Sequence, residues 1–109
     1  MKTEMNPYEL FETELPTLAA CFDDVVQAQI ALPGLDPKTK QLVNIAIQTA
    51  NGNVRGIGWH ATMARRQGAT RDEVVGAVAL NLHLSGLAAV LNALPAAIDG
   101  YDSAVVAEM

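Results

Sequence analysis

The chain has 109 residues, about the length of one domain, and 50% of them are hydrophobic while only 17% are charged. A chain with so many hydrophobic residues and so few charged ones is not intrinsically disordered. Its charged side chains are also too few to cover the surface of a small folded domain, so a membrane or a partner subunit must cover part of that surface. The net charge of −5 argues against nucleic acid as a partner, because binding to phosphates requires a basic face.

Two short helices are predicted in the first third of the chain. The cap and first-turn proline at Asn6-Pro7 begin one helix, and Pro16 opens a second one that ends at Pro33-Gly34. Phe22 is expected in the core, and Cys21, the single cysteine, is expected as a buried structural thiol. The lone cysteine, together with an N-terminal segment that lacks the apolar core of a signal peptide, predicts a cytoplasmic protein.

A third helix is predicted from the cap and proline at Asp36-Pro37 to a glycine stop at Gly52. Its polar arc carries four side-chain amides spaced three and four residues apart, which we call the amide stripe: Gln41, Asn44, Gln48 and Asn51. The solvated face of so acidic a protein would more often carry charges. The amide stripe is therefore either plain surface or the lining of a polar pocket or interface.

A fourth helix is predicted to begin at the cap Asn53 and to direct His60 inward, with Gly56 one turn before it on the same face. The segment from Asp36 to Glu73 holds six Lys or Arg residues against three acids, so a small anionic molecule is expected to bind there. No acidic residue at helical spacing joins His60, and His83 lies on a different helix. We therefore expect no metal site.

A capping box at Thr70–Glu73 starts an apolar helix, and no charged residue occurs from Val74 to Ile98. This stretch is long enough to cross a bilayer. However, its flanks are acidic, its interior contains polar residues, and it lacks aromatic residues at its edges, whereas a spanning helix has basic and aromatic flanks. We therefore expect subunit packing in an oligomer, and no membrane partner.

Three interruptions are predicted near the C-terminal end. Gly86 kinks or interrupts the apolar helix, Pro95 forces a new start, and Asp99-Gly100 loosens the chain before a last helix at Val105-Val106. No segment shows the period-two alternation of a strand. The predicted fold class is all-α, with five to seven short helices.

Specific motifs lie between Leu35 and about Leu94, within a single domain predicted over residues 1–109. They are the helix start LDPKT, the turn ANG, the W-H pair followed by ARRQGAT, and the TRDE box with its apolar helix. In these motifs the segment resembles the carboxymuconolactone decarboxylase and alkylhydroperoxidase D-like superfamily. The resemblance implies an all-α bundle of that type and a homotrimer or homohexamer, an assembly that would cover the surplus apolar surface.

The peroxidase branch of this superfamily uses a Cys-x-x-Cys pair, a glutamate before it and a histidine after it. Aligned on the ANG turn, the two cysteines fall at Asn53 and Gly56, the glutamate at Gln41 and the histidine at His60. Thiolate chemistry needs a sulfur nucleophile and a base to ionise it, and only the histidine is present. We therefore expect no dithiol peroxidase, although an alkylhydroperoxidase or peroxiredoxin-type antioxidant label could follow from the family.

The decarboxylase branch also lacks the cysteine pair and acts on a small lactone carboxylate, which implies acid-base chemistry without a thiol or a cofactor. We expect His60 to be the catalytic base, because uncharged Gln41 does not raise its pKa and the neutral ring is favoured near neutral pH. Gln41 and Asn53 are expected to bind the substrate with neutral hydrogen bonds. Arg55 would meet its carboxylate, and Gly56 would leave room for it over the imidazole.

Two other interpretations stay open beside this lyase or isomerase. The protein could be a non-catalytic relative that binds a small acid or serves in assembly. His60 could also be a core histidine that is hydrogen-bonded to Gln41 or to a backbone carbonyl.

Overall fold

The structure, a computed structural model, describes residues 6–104, which form seven helices and no strand. The helices are α1 (Pro7–Glu14), α2 (Pro16–Ile30), α3 (Pro37–Asn51), α4 (Val54–Arg66), α5 (Arg71–Ala79), α6 (Leu82–Ser85) and α7 (Leu87–Asp102). The all-α fold of five to seven helices is thereby confirmed. No helix in this range is long and apolar enough to cross a bilayer. The predicted helix at Val105-Val106 lies outside the described residues.

The chain divides at Gly34 into two compact units, the first of which contains α1 and α2. Asn6 caps α1 as predicted, and the ring of Phe11 packs edge-on against Phe22 at a centroid distance of 6.2 Å. Phe22 is nevertheless 48% exposed and Cys21 is exposed, so the predictions of a core phenylalanine and a buried thiol are wrong. The eight residues of α1 are too few to cover the apolar side of the longer α2.

The second unit contains α3 to α7 and is built around α4, which packs against both α3 and α7. Buried aliphatic residues from all the longer helices meet here, since one apolar face of each amphipathic helix turns inward. The core consists of Ile45, Ile57, Ala61, Ala64, Ala69, Val74, Val78, Val90, Ala93 and Ala97. Half of these residues are alanines, so the helices approach one another closely.

Helices α4 and α7 approach each other closely at Gly58 and Gly100, which we call the glycine contact. A Cβ at Gly100 would lie 2.9 Å from the Cα of Gly58, closer than real Cβ atoms come to any heavy atom. Beside it, the Thr62 hydroxyl donates to the carbonyl oxygen of Gly100 at 2.8 Å, and Arg65 Nη1 donates to that of Tyr101 at 2.8 Å. A cation that binds the last carbonyls of a helix also complements the helix dipole.

Helix α7 runs without a break through Pro95 and Gly100. The predictions of a new start at Pro95 and of a loosened chain at Asp99-Gly100 are therefore wrong. Proline removes one intrahelical donor, but the carbonyl left free belongs to Leu91, which lies on an exposed side of α7 where water is available. The glycine contact shows why position 100 is glycine: the residue serves helix packing rather than a turn.

Gly86 interrupts the apolar stretch as predicted, with φ of 97° between α6 and α7. The helix nevertheless stops earlier, at Ala79, and Asn81 in the turn that follows is only 7% exposed. Its Nδ2 donates to the carbonyl oxygens of Ala46 and Ala77, both at 3.3 Å, and its Oδ1 accepts from the Ser85 hydroxyl at 2.8 Å. We call this arrangement the Asn81 junction, because it ties the break between α5 and α6 to α3.

Candidate functional site

His60 lies on α4 and is half-buried, as the helical projection predicted. Its Nδ1 is 2.8 Å from Oε1 of Gln41 on α3. Because a carboxamide oxygen can only accept, Nδ1 carries the ring proton and donates it, and Nε2 is left as the basic nitrogen. The contact thus gives the neutral imidazole one tautomer, and no hydrogen bond within residues 6–104 occupies the lone pair on Nε2.

Burial lowers the pKa of His60 below the usual value of 6.5, since the protonated ring loses hydration. The lowered pKa agrees with the neutral ring that the sequence predicts. The physical cause of the shift is the desolvation of the ring. No carboxylate contributes to the shift. At neutral pH the ring is therefore a neutral base that is ready to accept a proton.

This lowered pKa predicts a loss of stability in acid. The unfolded chain takes up a proton at His60 near pH 6.5, whereas the folded chain resists protonation until the pH is lower. Between these two pKa values, acidification favours the unfolded state. The stability that the neutral ring of His60 contributes is therefore complete above pH 6.5 and is lost as the pH falls through the folded-state pKa. Urea unfolding of the wild type and of His60→Gln at several pH values checks this expectation. A difference in unfolding free energy that stays constant between about pH 8 and pH 5 would contradict it.

Asn53 and Gly56 begin α4 next to the histidine. Asn53 caps the helix, and its Oδ1 accepts from the backbone N–H of Gly56 at 3.1 Å, as predicted. A Cβ at Gly56 would lie 2.7 Å from Nε2 of Gln48 and 3.0 Å from Nδ2 of Asn53. The carboxamide of Gln48 therefore fills the space beside Gly56 that was predicted to hold a ligand over the imidazole.

Two residues of the amide stripe, Gln41 and Gln48, lie against α4. Gln41, Asn44 and Gln48 are half-buried, while Asn51 is exposed at the end of α3. Gln41 bonds His60, and Gln48 sits against Gly56. Of the two interpretations left open, the structure favours a polar interface between α3 and α4 over plain surface.

Gln48 was not among the predicted site residues. Its spacing of seven from Gln41 on α3 places both amides on one face, and this was the only signal that could have found it. Arg55, by contrast, is exposed in the first turn of α4, and no hydrogen bond within residues 6–104 joins it to Gln41 or His60. Its role in binding a carboxylate stays a prediction.

A separate apolar groove lies between α3 and α5. It has a volume of about 570 Å³, is open to solvent, and has Leu42, Ala46, Ala77 and Leu80 among its lining residues. At its edge Lys38 Nζ pairs with Glu73 Oε2 at 2.9 Å. None of the predicted site residues lines the groove. Across residues 6–104, no cluster of His, Cys, Asp and Glu could hold a metal ion.

The sequence profile of the Carboxymuconolactone decarboxylase family matches residues 16–99, or 84 of the 109 residues. The matched range spans both compact units and includes Gln41, Gln48, Asn53 and His60. Searches of curated proteins and of solved structures gave no match. By the extent of the profile match, the chain belongs to the carboxymuconolactone decarboxylase family.

Proposed function

We propose that this protein acts on a small carboxylate or lactone by acid-base chemistry that needs no thiol, with His60 as the base. The observation that carries the proposal is the 2.8 Å contact between Nδ1 of His60 and Oε1 of Gln41. It leaves Nε2 free to take a proton from a carbon beside a carbonyl. In an isomerisation the imidazolium returns the proton to a different carbon of the enolate formed. In a decarboxylation the C–C bond to the carboxylate breaks, CO₂ leaves, and the imidazolium gives a proton taken up from solvent to the carbon that keeps the electron pair.

The independence from thiols rests on the composition of the chain. Cys21 is the single cysteine, so no Cys-x-x-Cys pair can form within one chain. The positions that the peroxidase branch gives to its glutamate and its two cysteines hold Gln41, Asn53 and Gly56. None of these side chains can be oxidised reversibly or can ionise a thiol.

The proposal includes assembly into a homotrimer or homohexamer. The stretch from Val74 to Ile98 carries no charge, and five of its leucines in the second unit are more than half exposed: Leu80, Leu82, Leu84, Leu87 and Leu91. Exposed apolar patches of this kind mark contacts with other proteins. A chain that sediments as a monomer at micromolar concentration would contradict this part of the proposal. A cytoplasmic location stays a prediction.

A screen of small lactones and carboxylates with the wild type and His60→Ala tests the proposal. We expect the substitution to lower kcat/KM by about 10²- to 10⁴-fold, the usual contribution of a general base. His83→Ala is the matched control, because His83 is the other histidine and is exposed on α6. Turnover that survives His60→Ala at the wild-type level would overturn the assignment.

A non-catalytic relative that binds small acids is the second candidate. The observation that favours it is the neutral character of the side chains beside His60 and Gly56, since Gln41, Gln48 and Asn53 can bind a ligand but cannot exchange protons with it. Thermal stabilisation by small aromatic or dicarboxylic acids, without turnover of any tested substrate, would favour this candidate. No stabilisation by any of these acids would count against it.

A further inference from the structure

The apolar groove between α3 and α5 takes no part in the chemistry proposed for His60. Aliphatic side chains make up most of its lining: Leu42, Val43, Ala46, Ala77, Ala79 and Leu80. Glu73, the one charged residue among those that line it, has a partner at each carboxylate oxygen. Its Oε2 accepts from Nζ of Lys38 at 2.9 Å, and its Oε1 accepts from the backbone N–H of Thr70 at 2.8 Å. The groove therefore suits an apolar occupant, because its lining offers a polar one no unpaired charge.

Gly76 leaves a gap in the wall of this groove. A Cβ at position 76 would have no atom within 4 Å among residues 6–104, so no close helix contact within the described chain explains this glycine. Glycine inside a helix costs up to about 1 kcal/mol relative to alanine. An occupant that reaches the backbone of α5 through the gap would explain why the side chain is missing.

Leu80 lies one helical turn after Gly76 on the same face of α5. Its backbone N–H donates to the carbonyl oxygen of Gly76 at 3.0 Å, and its side chain is 70% exposed at the groove. The face thus carries a gap and a protruding leucine about 6 Å apart. A two-fold axis between these two points would place the Leu80 of each chain in the gap of the other. The surface is therefore complementary to a second copy of itself.

The charges around the groove also favour a second copy of the chain. Because the net charge is −5, two copies repel each other unless the surfaces that meet carry little unpaired charge. The stretch from Val74 to Ile98 holds no charged residue, and Glu73 is paired with Lys38. A strongly acidic or basic partner would find no unpaired opposite charge in the lining.

Exposed aliphatic side chains continue the apolar surface of the groove along α3. Val43 lines the groove, and Ile47 lies one turn further on the same face; both are exposed. A specific interface buries about 800 Å² on each partner, which is more than a groove of this size supplies alone. Val43 and Ile47 add to the surface that such a contact requires.

We propose that the groove is a contact between two copies of this chain related by a two-fold axis, in which Leu80 of each copy fills the gap at Gly76 of the other. This inference rests on the assembly part of the proposed function and adds to it a surface and a symmetry. A lone trimer has no two-fold axis, whereas a hexamer built from two trimers contains such axes. The assembly is therefore a hexamer, and this contact joins its two trimers.

Disulfide cross-linking tests the symmetry of the contact. Cys21→Ala removes the single cysteine, and Gly76→Cys combined with Leu80→Cys then places one thiol at the gap and one at the leucine. In a two-fold contact both disulfides form within one pair of chains, so we expect oxidation to end at a covalent dimer on a non-reducing gel. Gly76→Cys alone and Leu80→Cys alone are the matched controls and should cross-link poorly. A ladder of longer products would show a head-to-tail contact and overturn the two-fold axis.

Absence of any cross-link between chains would also overturn the proposal, and the reactivity of the two thiols would show what happens at the groove instead. Thiols that iodoacetamide alkylates as fast as in the unfolded chain would indicate an open groove. Thiols that stay protected without cross-linking would indicate that another segment of the same chain, or a bound apolar molecule, covers it.

Sedimentation measures the strength of the contact. We expect the wild type to sediment as a hexamer. Gly76→Leu fills the gap and Leu80→Asp brings a charge into it, so each should raise the dissociation constant between trimers about tenfold or more. Leucine is used at position 76 because the single methyl group of alanine would take up only a small part of the groove. Leu18→Asp, the same change at an exposed leucine of α2, is the matched control. Wild-type association in both groove variants would contradict the proposal.

Assembly and turnover are measured separately, so this inference and the chemistry proposed for His60 can fail independently. Turnover that requires His60 in a protein that sediments as a trimer would overturn the two-fold contact and leave the base in place. Hexamers that dissociate in Leu80→Asp, in a protein whose turnover survives His60→Ala, would have the opposite meaning.

Discussion

Replacing Gly100 by alanine is expected to lower the free energy of unfolding by about 3 kcal/mol, the upper end of the cost of overpacking a core. The new Cβ would lie 2.9 Å from the Cα and from the carbonyl carbon of Gly58, and these backbone atoms cannot rotate away as a side chain can. Helix α7 would have to move off α4. This movement would also stretch the hydrogen bonds that Thr62 and Arg65 make to the end of α7.

Gly76→Ala on α5 is the matched control for this substitution. A Cβ at Gly76 would meet no atom within 4 Å, and the position is helical, so alanine is expected to stabilise the protein by up to about 1 kcal/mol. Denaturant unfolding followed by circular dichroism measures both variants. Equal midpoints for Gly100→Ala and the wild type would show that the glycine contact does not constrain α7.

The Asn81 junction predicts a second large effect. Asn81→Asp keeps the shape of the side chain but places a carboxylate oxygen against the carbonyl oxygens of Ala46 and Ala77, where the amide nitrogen now donates. Because Asn81 is buried, we expect a loss of about 3 kcal/mol at pH 7, the cost of an unpaired and poorly hydrated charge.

The pH dependence of this variant distinguishes charge from a packing defect. The carboxyl group would have a raised pKa in the folded protein, and once protonated it could donate a hydrogen bond again, so the loss should shrink as the pH falls. Asn92→Asp, an exposed asparagine of α7, serves as the control and should change stability by less than about 0.5 kcal/mol. A defect at Asn81→Asp that is the same in acid and at neutral pH would contradict the electrostatic explanation.

Helix starts could be predicted from the sequence because their determinants are local. The caps at Asn6, Asp36, Asn53 and Thr70 each bond a backbone N–H three residues ahead, so a few neighbouring residues suffice to define them. The continuous path of α7 could not be predicted in this way. Pro95 and Gly100 are helix breakers by local rules. The helix continues because the carbonyl that Pro95 leaves free lies on an exposed side of α7 and because Gly100 packs against α4.

In the candidate site too, the features set by local sequence could be predicted and those set by helix packing could not. The inward face of His60 follows from the periodicity of α4, and Gln41 was among the hydrogen-bond partners that the sequence suggested. The position of Gln48 over Gly56 depends on the relative rotation and register of α3 and α4. The rotation and register are set by contacts along the whole helix pair, so they cannot be predicted from the residues next to Gln48 in the sequence.

Helix α4 packs against α3, which is near it in the sequence, and against α7, which is much farther away in the sequence. His60 and Gln41 are 19 residues apart, whereas Thr62 and Gly100 are 38 residues apart. Closing the longer loop costs more entropy, so during folding we expect α3 and α4 to pair first and α7 to dock later. The surroundings of His60 would then form before the glycine contact does, and local opening of α7 in the folded protein would leave the histidine and its amide partner together.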